Sequence, residues 1–414
     1  MSVANSAVRR PARSTMTSGA SSASVPPGAS STSSTSYTAS STASSTASSA
    51  ASSTTSPAAT RRARLEAATP PVLPGPSTSA VAIGATGTSD VTCVTLANAY
   101  LRLDVAPQLG GGITRFDWRS EGALEPVFRR CERVSARMDP NDLACYPLLP
   151  YSNRIGAGRF HFDGRQVEVP RNRASEPLPI HGDGWLAHWT VAEADRERVR
   201  LVLDRSGGEP YAYRAVLTYA LDGATLAMTL EVENMGREAL PFGLGVHPFL
   251  ARDASTELSA PASGLWLSGA DWLPVRHVPA PPAWQFGVAY PLPEQLVNHA
   301  FSGWSGRAAV VWERRRLSLS ICANTDYYVL YTPPGEHFFC FEPVDHPINA
   351  VNLEGGGGAH GMTVLGHGER LVRTFSFTVE RMDMRETASP HRQGARGRAG
   401  ARGAKGGRGR RAAG

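Results

Sequence analysis

Apolar and polar residues alternate through the middle of this chain with no stretch of helical period to interrupt them. From about Val91 the segments VTLANAYLRLDV, VRLVLD, YRAVLTYAL, TLAMTLEVEN, LSLSICAN, YYVLYT and VRTFSFTVE set Val, Leu, Thr and aromatic residues at every second position, bounded by turn residues. Period two sends successive side chains to opposite faces of a strand, so each segment can bury one face. Two Asp-Gly pairs, Asp163-Gly164 in FHFDGRQVEV and Asp222-Gly223 in TYALDGATLAM, supply the positive-φ positions of a tight hairpin. No helix of ordinary length is expected. About 295 residues of short strands, joined by long connections such as SAPASGLWLSGADWLPVRHVPAPPAW, are too many for a seven-stranded module and show no propeller-type repeat. The expected fold is all-β, a large antiparallel β-sandwich with sheets packed face to face.

The pattern fails at both ends. Residues 1–65 contain no Asp or Glu, six arginines and long Ser/Thr/Ala runs, and Pro, Gly, Ser and Thr continue to about Ser89. Such a composition buries too little apolar surface to offset the entropy of ordering. Residues 1–89 therefore read as a disordered tail and linker, 90–384 as the folded domain, and 385–414 as a disordered Arg/Gly-rich tail. The stretches 1–65 and 387–414 hold 14 of the 42 basic residues and none of the 36 acids, which leaves 28 basic residues against 36 acids, a net charge of −8, between them. The pI of 9.2 belongs to the tails, and no basic nucleic-acid groove is expected in the folded part. Nucleic acid enters only through weak phosphate contacts of the C-terminal Arg/Gly run, and a solvated tail is the preferred reading. Five cysteines, odd in number and without a CxxC pair, argue against a disulfide framework or a zinc knuckle and for a reducing, cytoplasmic setting. No membrane span is expected, since no run of 18 apolar residues occurs. The Arg- and Ser-rich, acid-free N-terminus has the composition of an organelle transit peptide but no clear amphipathic helix.

A single lysine, Lys405, lies in the C-terminal tail, which excludes Schiff-base chemistry and a P-loop. GxSxG, HExxH and a strand-to-helix GxGxxG are missing, and the glycines of NLEGGGGAHG read as a loop rather than a phosphate cradle. What remains are polar residues in apolar or turn contexts: Asn153 and Arg154 in LPYSNRIGAGRF, His181 in LPIHGDGW, His247 in GLGVHPFL and Glu342 in FFCFEPVDHPIN. Each alone has a structural reading, such as a histidine at a turn or an arginine bridging a carboxylate. Glu342 is the hardest to dismiss, because it closes an apolar run and a buried charge must find a partner or a function. Together they offer imidazole and carboxylate, the usual acid and base near neutral pH.

The motifs LPYSNRIGAGRFHFDG, HGDGWLAHW, GLGVHPFL and FEPVDHPINAVN, in that order between about Val91 and Arg381, resemble those of the aldose 1-epimerase (galactose mutarotase) family. The resemblance implies the galactose mutarotase-like sandwich. It implies a free hexose as small-molecule substrate, with neither metal nor organic cofactor. By position, Glu342 takes the role of catalytic carboxylate and His247 that of general acid, while Asn153, Arg154 and His181 contact the sugar. NHAFSGW places Asn298 where many relatives carry an aspartate, which changes the hydrogen-bond pattern offered to the sugar. In the implied reaction, Glu342 as carboxylate takes the proton of the anomeric hydroxyl and a protonated His247 donates to the ring oxygen, the two reaching the ring from opposite sides. Lower-ranked readings are a non-catalytic sugar-binding or regulatory sandwich, a hexose-6-phosphate mutarotase, for which Arg154 is the one evident cation, a metal site of His181, His247 and Glu342, and a glycoside hydrolase, which would need a second carboxylate.

Overall fold

The alternating segments pair into antiparallel sheets in the computed structural model. It describes residues 91–382 apart from positions 121 and 132, all within the compact unit Pro76–Gly414. The tails expected at 1–89 and 385–414 lie outside the described residues. One sheet has nine strands in the order Tyr290–Pro291, Thr256–Ser259, Arg307–Trp312, Leu317–Ala323, Arg370–Arg381, Thr225–Asn234, Tyr213–Asp222, Arg198–Arg205 and Thr190–Ala194. A second runs Pro274–Pro279, Gly264–Ser268, Asn298–Ser302, Tyr327–Tyr331, Phe338–Val344, Gly245–Val246 and Pro147–Leu148, with Phe249–Ala251 also paired to Phe338–Val344. A smaller sheet from Val94–Ala97, Leu101–Ala106, Gly112–Ser120 and Ala123–Pro126 adds to the same core.

Alternation fixes which face is buried. In Tyr213–Asp222 the residues Tyr213, Ala215, Leu217, Tyr219 and Leu221 point inward, and in Thr225–Asn234 Leu226, Met228, Leu230 and Val232 do the same. Asp163 (φ 49°) and Gly164 (φ 73°) form the expected two-residue turn between Arg159–Phe162 and Arg165–Glu168. The second hairpin is shifted by one: Asp222 pairs with Thr225, so the turn is Gly223-Ala224 and only the glycine takes a positive φ. VTLANAYLRLDV is two strands, because the Asn98 side chain accepts from the Tyr100 and Leu101 amides and closes a turn. The glycine run of NLEGGGGAHG, expected as loop, holds one helical turn, Gly356–Ala359, the only α-helix among the described residues.

The central strands of the second sheet are buried on both faces. One side sends Phe301, Tyr328, Phe339 and Phe341 into the main core, where Tyr328 stacks on Phe301 at 4.7 Å and on Phe341 at 4.5 Å and donates its hydroxyl to the Ala260 carbonyl. The other side carries Ala300, Val329, Cys340 and Val344 into a separate apolar cluster with Tyr146, Ile180 and Trp185. Phe341 therefore anchors from behind the strand that presents Glu342. Phe341→Ala is expected to cost about 3–5 kcal/mol of folding stability, the usual range for emptying a buried phenylalanine site, read as a lower midpoint of urea unfolding.

Candidate functional site

Strand register brings the two groups of the expected acid-base pair together. Gly245 pairs with Val344 and Phe249 with Cys340, so His247 stands opposite Glu342. On the other side Val246 pairs with Pro147, and the His247 amide donates to the Tyr146 carbonyl. His247 Nε2 lies 3.3 Å from Glu342 Oε1. The pair sits side by side rather than facing across a cleft, a consequence of cross-strand neighbours sharing one face of a sheet. The glycines of GLGVHPFL act by leaving space: a Cβ on Gly243 would lie 2.2 Å from His346 and one on Gly245 2.7 Å from Val344. Two rings stack against the imidazole, Tyr146 (4.6 Å) and Phe249 (4.7 Å), each within 30° of parallel. That stack, together with the proline at 248, fixes the ring.

The remaining expected residues converge on the same cavity. Asn153 (φ 56°) and His181 (φ 60°) hold each other: the Asn153 amide donates to His181 Nδ1 and the His181 amide to the Asn153 carbonyl, each at 3.0 Å. Nδ1 is thus an acceptor, the proton of the neutral ring is on Nε2, and no protein acceptor takes it among the described residues. Asn172 clamps this loop through Ile180 and Gly182. Arg154 pairs with Glu176 at 2.9 Å. Asn298, next to Tyr331 in the sheet, leaves its amide side chain unbonded among the described residues. All six, Asn153, Arg154, His181, His247, Asn298 and Glu342, line one open cavity of about 420 Å³, a monosaccharide-sized volume at the small end of ligand pockets.

The same wall includes residues that sequence reasoning missed: Arg129, Arg173, Trp185, Trp272 and Tyr331. Arg129 lies over Phe249 (4.0 Å) and Phe338 (4.5 Å), its Nη2 donating to the carbonyls of Asn141 and Leu143. Arg173 lies over Trp185 and pairs with Asp139 at 2.6 Å. Arg154 is therefore not the one cation of the pocket. Phe249 had a legible signal, since it follows His247 by two and shares its face. Arg129 and Tyr146 come from segments about 100 residues away and had none.

The sequence profile described as Aldose 1-epimerase matches residues 92–378, nearly all of the described chain. The chain belongs to the aldose 1-epimerase family. It is 32% identical over 303 residues to YphB of Escherichia coli K12, an uncharacterised protein, covering 70% of this chain and 99% of that one. The crystal structure of a proposed aldose 1-epimerase from Escherichia coli K12 superposes with a TM-score of 0.65 at 32% identity, over 70% of this chain and all of that chain. A galactose mutarotase-like protein from Clostridium acetobutylicum, 18% identical, shares the fold with a TM-score of 0.61 over 70% of this chain and 96% of that one.

In this member of the aldose 1-epimerase family the pair is nearly buried at the cavity wall, His247 8% and Glu342 3% exposed, and burial disfavours both charged forms. The Glu342 carboxyl is pushed up to about 8, desolvation outweighing the attraction of Arg154. His247 is pushed down to about 3 by desolvation, with Arg129 adding to it. Burial likewise keeps His181 neutral, well below its ordinary value. Burial thus favours, around neutral pH, the form in which the Glu342 carboxyl keeps its proton and the His247 imidazole is neutral. The charged forms that the implied reaction uses, a carboxylate and an imidazolium, are therefore the ones that burial disfavours in the free site. Glu342 Oε2 and His247 Nδ1 are buried with no hydrogen-bond partner among the described residues. The metal-type donors that converge are His247, Cys340 and Glu342, within 4.8 Å of one another, rather than a set including His181. Burial and the neighbouring carboxyl push the Cys340 thiol well up, which works against thiolate ligation.

A buried carboxyl whose folded pKa is raised weakens the fold as pH climbs from its ordinary value toward 8, because the unfolded chain releases the proton first. Glu342→Gln has no proton to lose. Its stability relative to the parent protein is expected to be constant below about pH 4.5 and to grow by on the order of 4 kcal/mol by pH 8. Denaturant unfolding of both forms across this range reads the difference directly.

Proposed function

We propose that the cavity is the active site of an aldose 1-epimerase that interconverts the α and β anomers of a free hexose. One observation carries this reading: an imidazole and a carboxyl in contact at an open cavity of sugar size. The anomeric hydroxyl and the ring oxygen hang on the same carbon, so an acid and a base that serve both must be neighbours. Ring opening takes a proton from the hydroxyl and gives one to the ring oxygen. Closure on the other carbonyl face runs the same transfers in reverse and returns the pair to its starting form. The proton can pass across the 3.3 Å contact, so the charged roles implied by the resemblance and the neutral form that burial favours are two tautomers of one singly protonated pair. Binding sugar brings hydroxyl dipoles into the cavity and lowers the cost of the charged tautomer. His181 Nε2–H, Arg154, Asn153 and the free amide of Asn298 are placed to hold sugar hydroxyls, and holding them supplies the positioning part of catalysis.

A neutral hexose fits the charge balance, because Arg154 and Arg173 are paired with Glu176 and Asp139. Arg129, which lines the cavity without an ion-pair partner among the described residues, favours as second reading a hexose 6-phosphate. The test is anomer exchange of freshly dissolved α-galactose, α-glucose and glucose 6-phosphate, followed by polarimetry or proton NMR. Acceleration is expected, and His247→Ala and Glu342→Gln are each expected to lower it about 10²- to 10⁴-fold. The rate should be flat from about pH 5 to 7 and fall about tenfold per pH unit above about 8, as the pair loses its proton. Sugar binding without acceleration would replace the enzyme by a carbohydrate-binding module on the same cleft.

A further inference from the structure

Trp272 stands apart from the other tryptophans of the chain. Trp118, Trp185, Trp266 and Trp284 each contact another ring, and Trp189, Trp304 and Trp312 each donate the indole N–H to a backbone carbonyl. No ring, cation or acceptor engages the Trp272 indole among the described residues, although it lines the cavity with His247 and Glu342. It sits on the tip that joins Gly264–Ser268 to Pro274–Pro279, at the edge of the second sheet, with 36% of its surface exposed.

The backbone there is unfavourable for such a residue. Trp272 has φ 63°, a left-handed conformation that suits Gly or Asn and strains a bulky side chain. The tip around it is firmly tied: the Trp272 amide donates to the Gly269 carbonyl, the Gly269 amide to the Leu273 carbonyl and the Leu273 amide to Asp271 Oδ1. Leu273 packs on the apolar cluster beneath the site and approaches Gly156 of the Asn153-Arg154 loop. A large apolar ring is therefore held at a fixed place on a largely polar wall, at a cost in strain, with a third of its surface open and no ring, cation or acceptor of the described residues engaging it. Strain of this kind gathers where a ligand is clamped.

We infer that Trp272 is the platform on which the apolar C–H face of a pyranose ring lies, while the hydroxyl edge meets Arg154, His181 and Asn298; this rests on the sugar reading of the cavity. A flat indole face matches the C–H patch of a hexopyranose, and the polar residues then set the ring's rotation on that surface.

The test compares Trp272→Gly and Trp272→Phe with the parent protein in anomer exchange and thermal unfolding. Trp272→Gly is expected to raise KM at least about tenfold with a far smaller change in kcat, while Tm stays level or rises because glycine accepts the left-handed backbone. Trp272→Phe keeps an aromatic face and should hold KM within about threefold. An unchanged KM in Trp272→Gly, or a loss of Tm and kcat together at constant KM, overturns the platform and leaves the epimerase reading standing. Should the parent protein fail to accelerate anomer exchange, the epimerase reading falls, and tryptophan fluorescence decides the platform. A saturable change with galactose or glucose that is lost in Trp272→Phe but kept in Trp266→Phe supports it; its persistence in Trp272→Phe, or no change in the parent protein, overturns it.

Discussion

Holding an imidazole and a carboxyl in contact away from water is costly for each group, and much of the surrounding structure serves to make that contact possible. The cost falls when one proton is shared and neither group is charged. Strand register sets the contact, since His247 and Glu342 occupy directly opposed positions on neighbouring strands. Tyr146 and Phe249 then stack against the imidazole and hold its orientation. On the reverse of the same strand Phe341 packs into the stack with Tyr328, which ties the placement of the carboxyl to the main core.

The motifs distributed along the sequence are bonded to one another. The Ser152 amide donates to His346 Nε2, which leaves the other nitrogen to donate to the Pro347 carbonyl. The Leu244 amide donates to the Asp345 carboxyl and the Asp345 amide to the Leu244 carbonyl, with Arg373 pairing to the same carboxyl. The Gly156 amide donates to Asn349 Oδ1, and the Asn349 amide to the Arg154 carbonyl. Together with the Asn153–His181 exchange, these bonds link all four segments whose order resembles the aldose 1-epimerases. A residue such as Asp345 or Asn349 thus belongs to a motif for its hold on the neighbouring segment, with no need to touch a substrate itself.

Much of this was readable in the sequence where period and local chemistry decide the outcome. YRAVLTYAL and TLAMTLEVEN became paired strands with the inward faces that alternation requires, and the six expected site residues meet in one cavity. What could not be read depends on which strand lies beside which. Tyr146 and Arg129 reach the site through pairings that no local pattern encodes, and Trp272 reaches it from a hairpin tip whose backbone contradicts the preference of its own residue type. The same holds for acidity: residue type gives the ordinary values of Glu342 and His247, whereas burial on a particular sheet face pushes the carboxyl up and the imidazole down.

The most direct measurement is the location of that proton. Infrared spectra of the whole protein at neutral pH, taken as a difference against Glu342→Gln, should contain the carbonyl band of a protonated carboxylic acid that fades as pH passes about 8. The nitrogen-15 shifts of His247 in the same samples should be those of a neutral imidazole. An imidazolium signature with an ionised carboxylate at neutral pH would contradict the account.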